Sequence, residues 1–370
     1  MAELHDLTAL EQGALVRRRE VSPRELVEHY LRRADRLDSV GAFVTLTPEL
    51  ARARADALGA PGPERSPLFG VPTAIKDLNL TAGVRTMFGS TAFADFVPDV
   101  SDGVTLSLEG AGLVSVGKTN TPEFGSPCYT EPEVGPPAVT PWDRTRTAGG
   151  SSGGAAAAVA AGLVPLAQGS DGGGSIRIPA SCCGLVGLKP TRGRISGHPM
   201  YGDPVGLATA GPIARTVRDA AAMLDVLAGR RAGDPSWAPP PSSSFLSSCD
   251  RDPGRLRVAR FIEPVITDTP VDPDCVQAWE DASLLLESLG HEVVDVAVPL
   301  PREAVPLFET CWAVLTALSV VPPEKEHLLR PLTRWLADRG RAVSGPEFGL
   351  AIGAVRRHAA AALTALAPYD

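Results

Sequence analysis

The sequence predicts an α/β protein built on a mixed, twisted central sheet covered by helices on both faces. Three observations carry this reading. Apolar, β-like stretches at 69–80, 113–116 and 182–188 alternate with helical ones at 104–110 and 216–227. Residues 256–261, 274–289 and 291–298 read as strand, helix and strand, an order that implies parallel pairing under a helical cover. No short internal repeat divides the 370 residues, a length that can bury one large core.

In chain order, the first forty residues read as two helices. Ser22-Pro23-Arg24-Glu25 is a capping box with proline at the first helical position, and Leu26, Val27, Tyr30, Leu31 and Ala34 share one face. Pro72 interrupts the apolar stretch at 69–80. From 147 to 174 the chain is dominated by Gly, Ser and Ala. Residues 229–254 form a Pro/Ser-rich surface loop or linker, because Pro239-Pro240-Pro241-Ser242-Ser243-Ser244 cannot build a regular element. The segments it joins do not obviously close alone, so residues 1–370 are read as a single domain.

Composition narrows the function. A net charge of −8 argues against a nucleic-acid partner, which would call for clustered positive charge. The polar start, Met1 to Asp6, lacks the features of a signal peptide. The longest apolar run, 155–167, is too short to span a membrane and contains Gly162 and Pro165. A soluble, cytoplasmic chain with no membrane partner is expected. The cysteines at 128, 182, 183, 249, 275 and 311 lack CxxC spacing and read as reduced thiols. Of 35 basic residues only Lys76, Lys118, Lys189 and Lys325 are lysines. Where arginine is the default cation, a lysine points to what arginine cannot do, which is to give up its proton when buried.

Two motifs match in letters but not in context. Gly112 to Thr119 fits GxxxxGK[ST], yet the residues between the glycines are themselves the apolar strand, and Pro122 disfavours a helix after them. Gly149-Gly150-Ser151-Ser152-Gly153 contains GxSxG, but the preceding 144–148 is a weak, polar strand. None of His198, His291, His327 and His358 has the pattern of a catalytic base.

The segment 148–179 carries the chemistry. It places glycine-flanked Ser151 before an alanine-rich helix at about 155–161, and Ser175 after a strand and three glycines. Helix and strand can fold back antiparallel and return both serines to one end. The glycines permit positive φ, and their successive amides can converge on an oxyanion. The alternative, a flexible Gly/Ser linker, conflicts with the alanine-rich helix and the apolar 163–166 stretch between the clusters.

Residues 149–194, ending in Gly187-Leu-Lys-Pro-Thr-Arg-Gly-Arg194, closely resemble the signature of the amidase signature family. So do Gly70-Val-Pro-Thr-Ala-Ile-Lys76-Asp77, 117–124 and 211–219. The matches run in the family's order over roughly residues 5 to 300, with a flavour of the nylon-oligomer cyclic-dimer hydrolases. The resemblance implies the amidase signature fold, a small-molecule amide substrate, no cofactor or metal, and a homodimer as one assembly. It places the nucleophile at Ser175, a relay serine preceded by a cis peptide at Ser151, and the base at Lys76, whose neighbours Ala74, Ile75 and Leu78 suit a buried amine. Gly172, Gly173 and Gly174, with the Ser175 amide, become the oxyanion hole. Ser152, Asp171 and Arg177 become structural support, the last two as a buried ion pair shaping the glycine turn. Lys118 and Lys189 are expected to hold carbonyls, and 124–129 to line a pocket or pack in the core. Two departures stand out: Gly172 occupies a position where many relatives carry Thr or Ile, and relatives usually continue beyond the equivalent of 366–370, which implies an absent C-terminal part of the sheet. The rival readings are the glutamine-hydrolysing component of an aminoacyl-tRNA amidotransferase and a catalytically inert binding module.

Overall fold

The computed structural model describes residues 3–37, 39–62, 64–199 and 203–370; Met1 and Ala2 of the polar start lie outside them. The chain divides into two compact units: Met1–Asp250 with Val321–Arg330, and Arg251–Val320 with Pro331–Asp370. The boundary at Arg251 falls within the Pro/Ser-rich 229–254 stretch.

The first unit begins with α1 (Ala9–Arg17), α2 (Pro23–Leu37), β1 (Phe43–Leu46), α3 (Pro48–Ala57), β2 (Pro72–Lys76), α4 (Gly103–Gly110) and β3 (Val114–Thr119). It continues with β4 (Val139–Thr140), β5 (Asp143–Thr147), α5 (Gly153–Ala160), β6 (Leu166–Asp171), α6 (Arg177–Cys183), β7 (Val186–Gly187), β8 (Thr209–Ala214), α7 (Val217–Leu227) and α8 (Phe245–Ser248). Helix α2 forms as its capping box predicts. The Glu25 carboxylate accepts from the Ser22 amide at 2.8 Å, the Glu25 amide donates to Ser22 Oγ at 3.2 Å, and the five residues on the apolar face are buried. Pro72 opens β2 instead of breaking it, a position where a missing amide costs the ladder little.

The expected central sheet is divided. One three-stranded sheet runs β1-β3-β2, with β1 antiparallel and β2 parallel to β3; another, β6-β8-β7, is antiparallel throughout. Edge strands β2 and β6 face one another without a backbone ladder. Side chains join them: Thr73 Oγ1 donates to the Leu166 carbonyl at 3.2 Å, and the Lys76 amide donates to Gln168 Oε1 at 2.9 Å. The fold is α/β with mixed pairing, distributed over several sheets.

Helix α5 is buried from Gly153 to Val159 and packs into the same core as β1, β3 and β6. A helix enclosed on all sides has no polar face to present, and alanine lets strands approach it closely.

In the second unit, β9 (Arg257–Arg260), α9 (Pro273–Ser288) and β10 (Glu292–Asp295) form the expected βαβ, with parallel register from Arg257↔Glu292 to Arg260↔Asp295. Helices α10 (Ala304–Ala317), α11 (Pro331–Ala342) and α12 (Gly345–Leu366) complete it. Among the described residues no helix is long and apolar enough to cross a membrane.

Candidate active site

The residues expected to carry chemistry lie in the first unit, around the β2–β6 seam. Lys76 ends β2 and is fully buried, as are its neighbours Ala74 and Ile75. Its Nζ lies 2.7 Å from Ser151 Oγ and 3.1 Å from Ser170 Oγ. Burial removes the water that would stabilise the ammonium, and the lysine falls to about 7, with Asp171 opposing the shift. At neutral pH a large share of this amine is unprotonated.

Ser151 is buried and follows a cis peptide from Gly150, the geometry the family resemblance implies. The chain at Gly150 touches its neighbour directly, since an added Cβ would lie 2.6 Å from the Tyr129 nitrogen. Ser152 ties the two serine clusters together. Its amide donates to the Ser175 carbonyl at 3.1 Å, its hydroxyl donates to the Ser170 carbonyl at 3.2 Å, and it accepts from the Ser170 amide at 3.2 Å. Strand and helix thus return Ser151 and Ser175 to one end, as the pattern suggests. Ser175 retains slight exposure, at 8%.

Asp171 builds the glycine turn. Its carboxylate accepts the Gly174 amide at 2.7 Å, the Ile176 amide at 3.2 Å and two bonds from the Arg177 guanidinium at 2.9 Å each. Burial alone would raise the Asp171 pKa, but Arg177 and these amides outweigh it and hold the carboxyl below its usual range. Two expectations need correction. Arg177 keeps 55% of its side chain exposed while Asp171 is fully buried, so only one member of the pair lies in the interior. The Gly174 amide donates to Asp171 at 2.7 Å, so it is turned to the carboxylate and not to an oxyanion as expected. Gly174 adopts φ +118° and an added Cβ would meet Ile178 Cδ1 at 2.6 Å, so glycine there serves the turn.

The other lysines hold carbonyls, as expected. Lys118 donates to the Asn79 carbonyl at 2.5 Å and to Thr86 Oγ1 at 2.9 Å, and lies 3.5 Å from Asp77. Burial pushes Asp77 up to about 6 and Lys118 down, each opposed by the other's charge. Gly117 and Lys118 sit inside β3, which disposes of the phosphate-loop match. Lys189 donates to the Pro190 carbonyl at 2.9 Å. The 124–129 stretch borders the site: an added Cβ at Gly125 would lie 3.2 Å from Ser151 Oγ, and Phe124 stands edge-on to Phe93.

Sequence reasoning missed Ser170 and Gln168. Gln168 is fully buried; besides accepting from the Lys76 amide, it donates to Asn79 Oδ1 at 3.0 Å and to the Gly169 carbonyl at 2.7 Å. A cavity of about 370 Å³ reaches this network through Ser170, Asn79 and Thr209. A lone glutamine within a strand pattern gives no signal of such a role. Among the described residues no cluster of His, Cys, Asp and Glu is arranged to hold a metal ion.

The amidase family profile matches residues 25–342. The chain is 37% identical over 374 residues to 6-aminohexanoate-cyclic-dimer hydrolase of Paenarthrobacter ureafaciens, covering 95% of this chain and 73% of that one. It is 42% identical over 284 residues to a component of the glutamyl-tRNA(Gln) amidotransferase of Synechococcus sp., covering 76% and 58%. The solved structure of 6-aminohexanoate cyclic dimer hydrolase complexed with substrate superposes with a TM-score of 0.92 at 33% identity, covering 99% of this chain and 78% of that one. The chain spans 58% to 73% of the length of these two curated relatives.

Proposed function

Because this chain belongs to the amidase family, we propose that it hydrolyses a carboxylic amide C–N bond through an acyl-enzyme on Ser175. The observation that carries the reading is the 2.7 Å approach of Lys76 Nζ to Ser151 Oγ, in a lysine that burial brings to about 7.

In the proposed cycle the Ser151 hydroxyl donates to neutral Lys76 while Ser151 takes the proton of Ser175. Ser175 Oγ then attacks the amide carbonyl. The amides of Gly172, Gly173 and Ser175 receive the oxyanion, each such donor typically supplying about 3 kcal/mol. As the C–N bond breaks, the proton returns through Ser151 to the leaving nitrogen. Water, deprotonated by the same relay, cleaves the Ser175 ester and regenerates the hydroxyl. The cycle draws on no metal or organic cofactor. A cytoplasmic setting, with reduced thiols at Cys128, Cys182 and Cys183, belongs to the same reading.

The likeness to 6-aminohexanoate-cyclic-dimer hydrolase supports small linear or cyclic amides as the substrate class. The likeness to the amidotransferase component supports glutamine as the alternative. A hydrolysis panel containing the 6-aminohexanoate cyclic dimer, simple anilides and free glutamine tests both. Turnover of a non-glutamine amide by the chain alone, abolished in Ser175→Ala, is expected. Turnover of glutamine alone, and only with an added partner protein, would favour the alternative.

A further inference from the structure

The β2–β6 seam places a demand on Lys76 that the relay does not address. On one side β2 pairs with β3, where Lys76 is in register with Thr119. On the other, its amide points to β6, where no backbone ladder forms. A buried N–H without a partner is costly, and a strand end held on one side only can shift. The Gln168 side chain takes the place of the absent ladder. Its Oε1 accepts the Lys76 amide at 2.9 Å, and its Nε2 is fixed by Asn79 Oδ1 at 3.0 Å and the Gly169 carbonyl at 2.7 Å. Asn79 Nδ2 in turn donates to Asp102 Oδ2 at 2.8 Å, and the Asp102 carboxylate caps α4 through the Thr105 amide at 2.9 Å. The clamp runs from the backbone of the proposed base, through β6, to a helix N-terminus. It lies two residues before Ser170, which touches Lys76 Nζ, and three before Asp171, which builds the turn to Ser175.

We propose that Gln168 is a positioning residue for amide hydrolysis, setting the register of the base-bearing strand against the nucleophile-bearing strand so that Lys76 Nζ meets Ser151. The inference rests on the relay reading of Lys76 and Ser151. Gln168 touches no reacting atom; it acts through the Lys76 backbone. The 2.7 Å contact between Nζ and Ser151 Oγ is short enough that a displacement near 1 Å would break it.

The charged groups around Lys76 can be told apart. Asp171, at the end of β6, favours the ammonium. Asp77, next in sequence, turns to the opposite side of the strand and pairs with Lys118 of β3. Asp102 is held by Asn79, and Arg177 is bound to Asp171. Gln168 is neutral, so a carboxylate of the same shape at that position adds a buried negative charge near the amine and favours its protonated form.

The test is the labelling rate of Ser175 by a fluorophosphonate probe, measured from pH 5 to 9 on the full chain. Gln168→Leu keeps the bulk and removes all three side-chain hydrogen bonds; its plateau rate should fall roughly 10- to 100-fold. Gln168→Glu can still accept the Lys76 amide, so its plateau rate should stay well above that of Gln168→Leu, while its added charge moves the acidic limb to higher pH whatever the role of Gln168. A passive packing role would leave the plateau rates of both variants near native. A Gln168→Leu rate within about twofold of native, with the fold retained, overturns the proposal. Should that variant not fold, Gln168→Met, which also keeps the bulk and lacks a strong acceptor for the Lys76 amide, is measured in its place, and a plateau rate within about twofold of native overturns the proposal. Native labelling that ignores pH, or that survives Lys76→Ala unchanged, sinks the relay reading instead.

Discussion

The carboxylate of Asp171 receives the amide of Gly174 at 2.7 Å and thereby closes the turn that presents Ser175. The same carboxylate is the charge that favours the ammonium form of Lys76. Asp171→Asn should therefore act twice. Loss of the Arg177 clamp should lower the catalytic rate by about tenfold or more. Removing the negative charge should also move the acidic limb of the pH–rate profile below 7, because the amine then loses its proton more readily. Steady-state rates from pH 5 to 9 check both effects.

Ser151→Ala removes the group between base and nucleophile while leaving Ser175 in place. A lost proton-transfer step typically costs 10²- to 10⁴-fold, so kcat should fall by about that much. Thermal unfolding should stay near native, since Ser151 Oγ bonds the side chain of Lys76 and not the surrounding backbone.

Helix α5 tests the packing side of the account. Ala156 is fully buried in the core shared with β1, β3 and β6. Ala156→Leu adds volume where none is free and should destabilise the chain by about 1–3 kcal/mol, read from urea unfolding. By contrast, Ser22→Ala removes only the capping box of α2, should cost about 1 kcal/mol, and should leave the activity of the folded chain intact.

The sequence made some of this legible because the signal was local. The capping box and apolar face of α2, the βαβ of 256–298 and the serine-flanked glycine runs are short-range patterns, and each has its counterpart in the structure. Lys76 stood out because lysine is rare here and its neighbours are apolar. What stayed hidden depends on distant contacts. A run of three glycines does not say which amide a neighbouring carboxylate will claim, and Asp171 claims that of Gly174. Nor does a strand pattern reveal that its ladder stops, so the sequence reads as a central sheet where Thr73 and Gln168 bridge two. Ser170 and Gln168 became visible only through what they touch.

In the proposed relay Lys76 activates Ser175 through Ser151. The most direct measurement is mass-spectrometric location of a fluorophosphonate adduct, with its rate of formation followed against pH in the native chain and in Lys76→Ala. An adduct on Ser175 is expected, forming faster as pH rises through about 7 and at least about 100-fold more slowly without Lys76. An adduct on another residue, or an equal rate in Lys76→Ala, would contradict the relay.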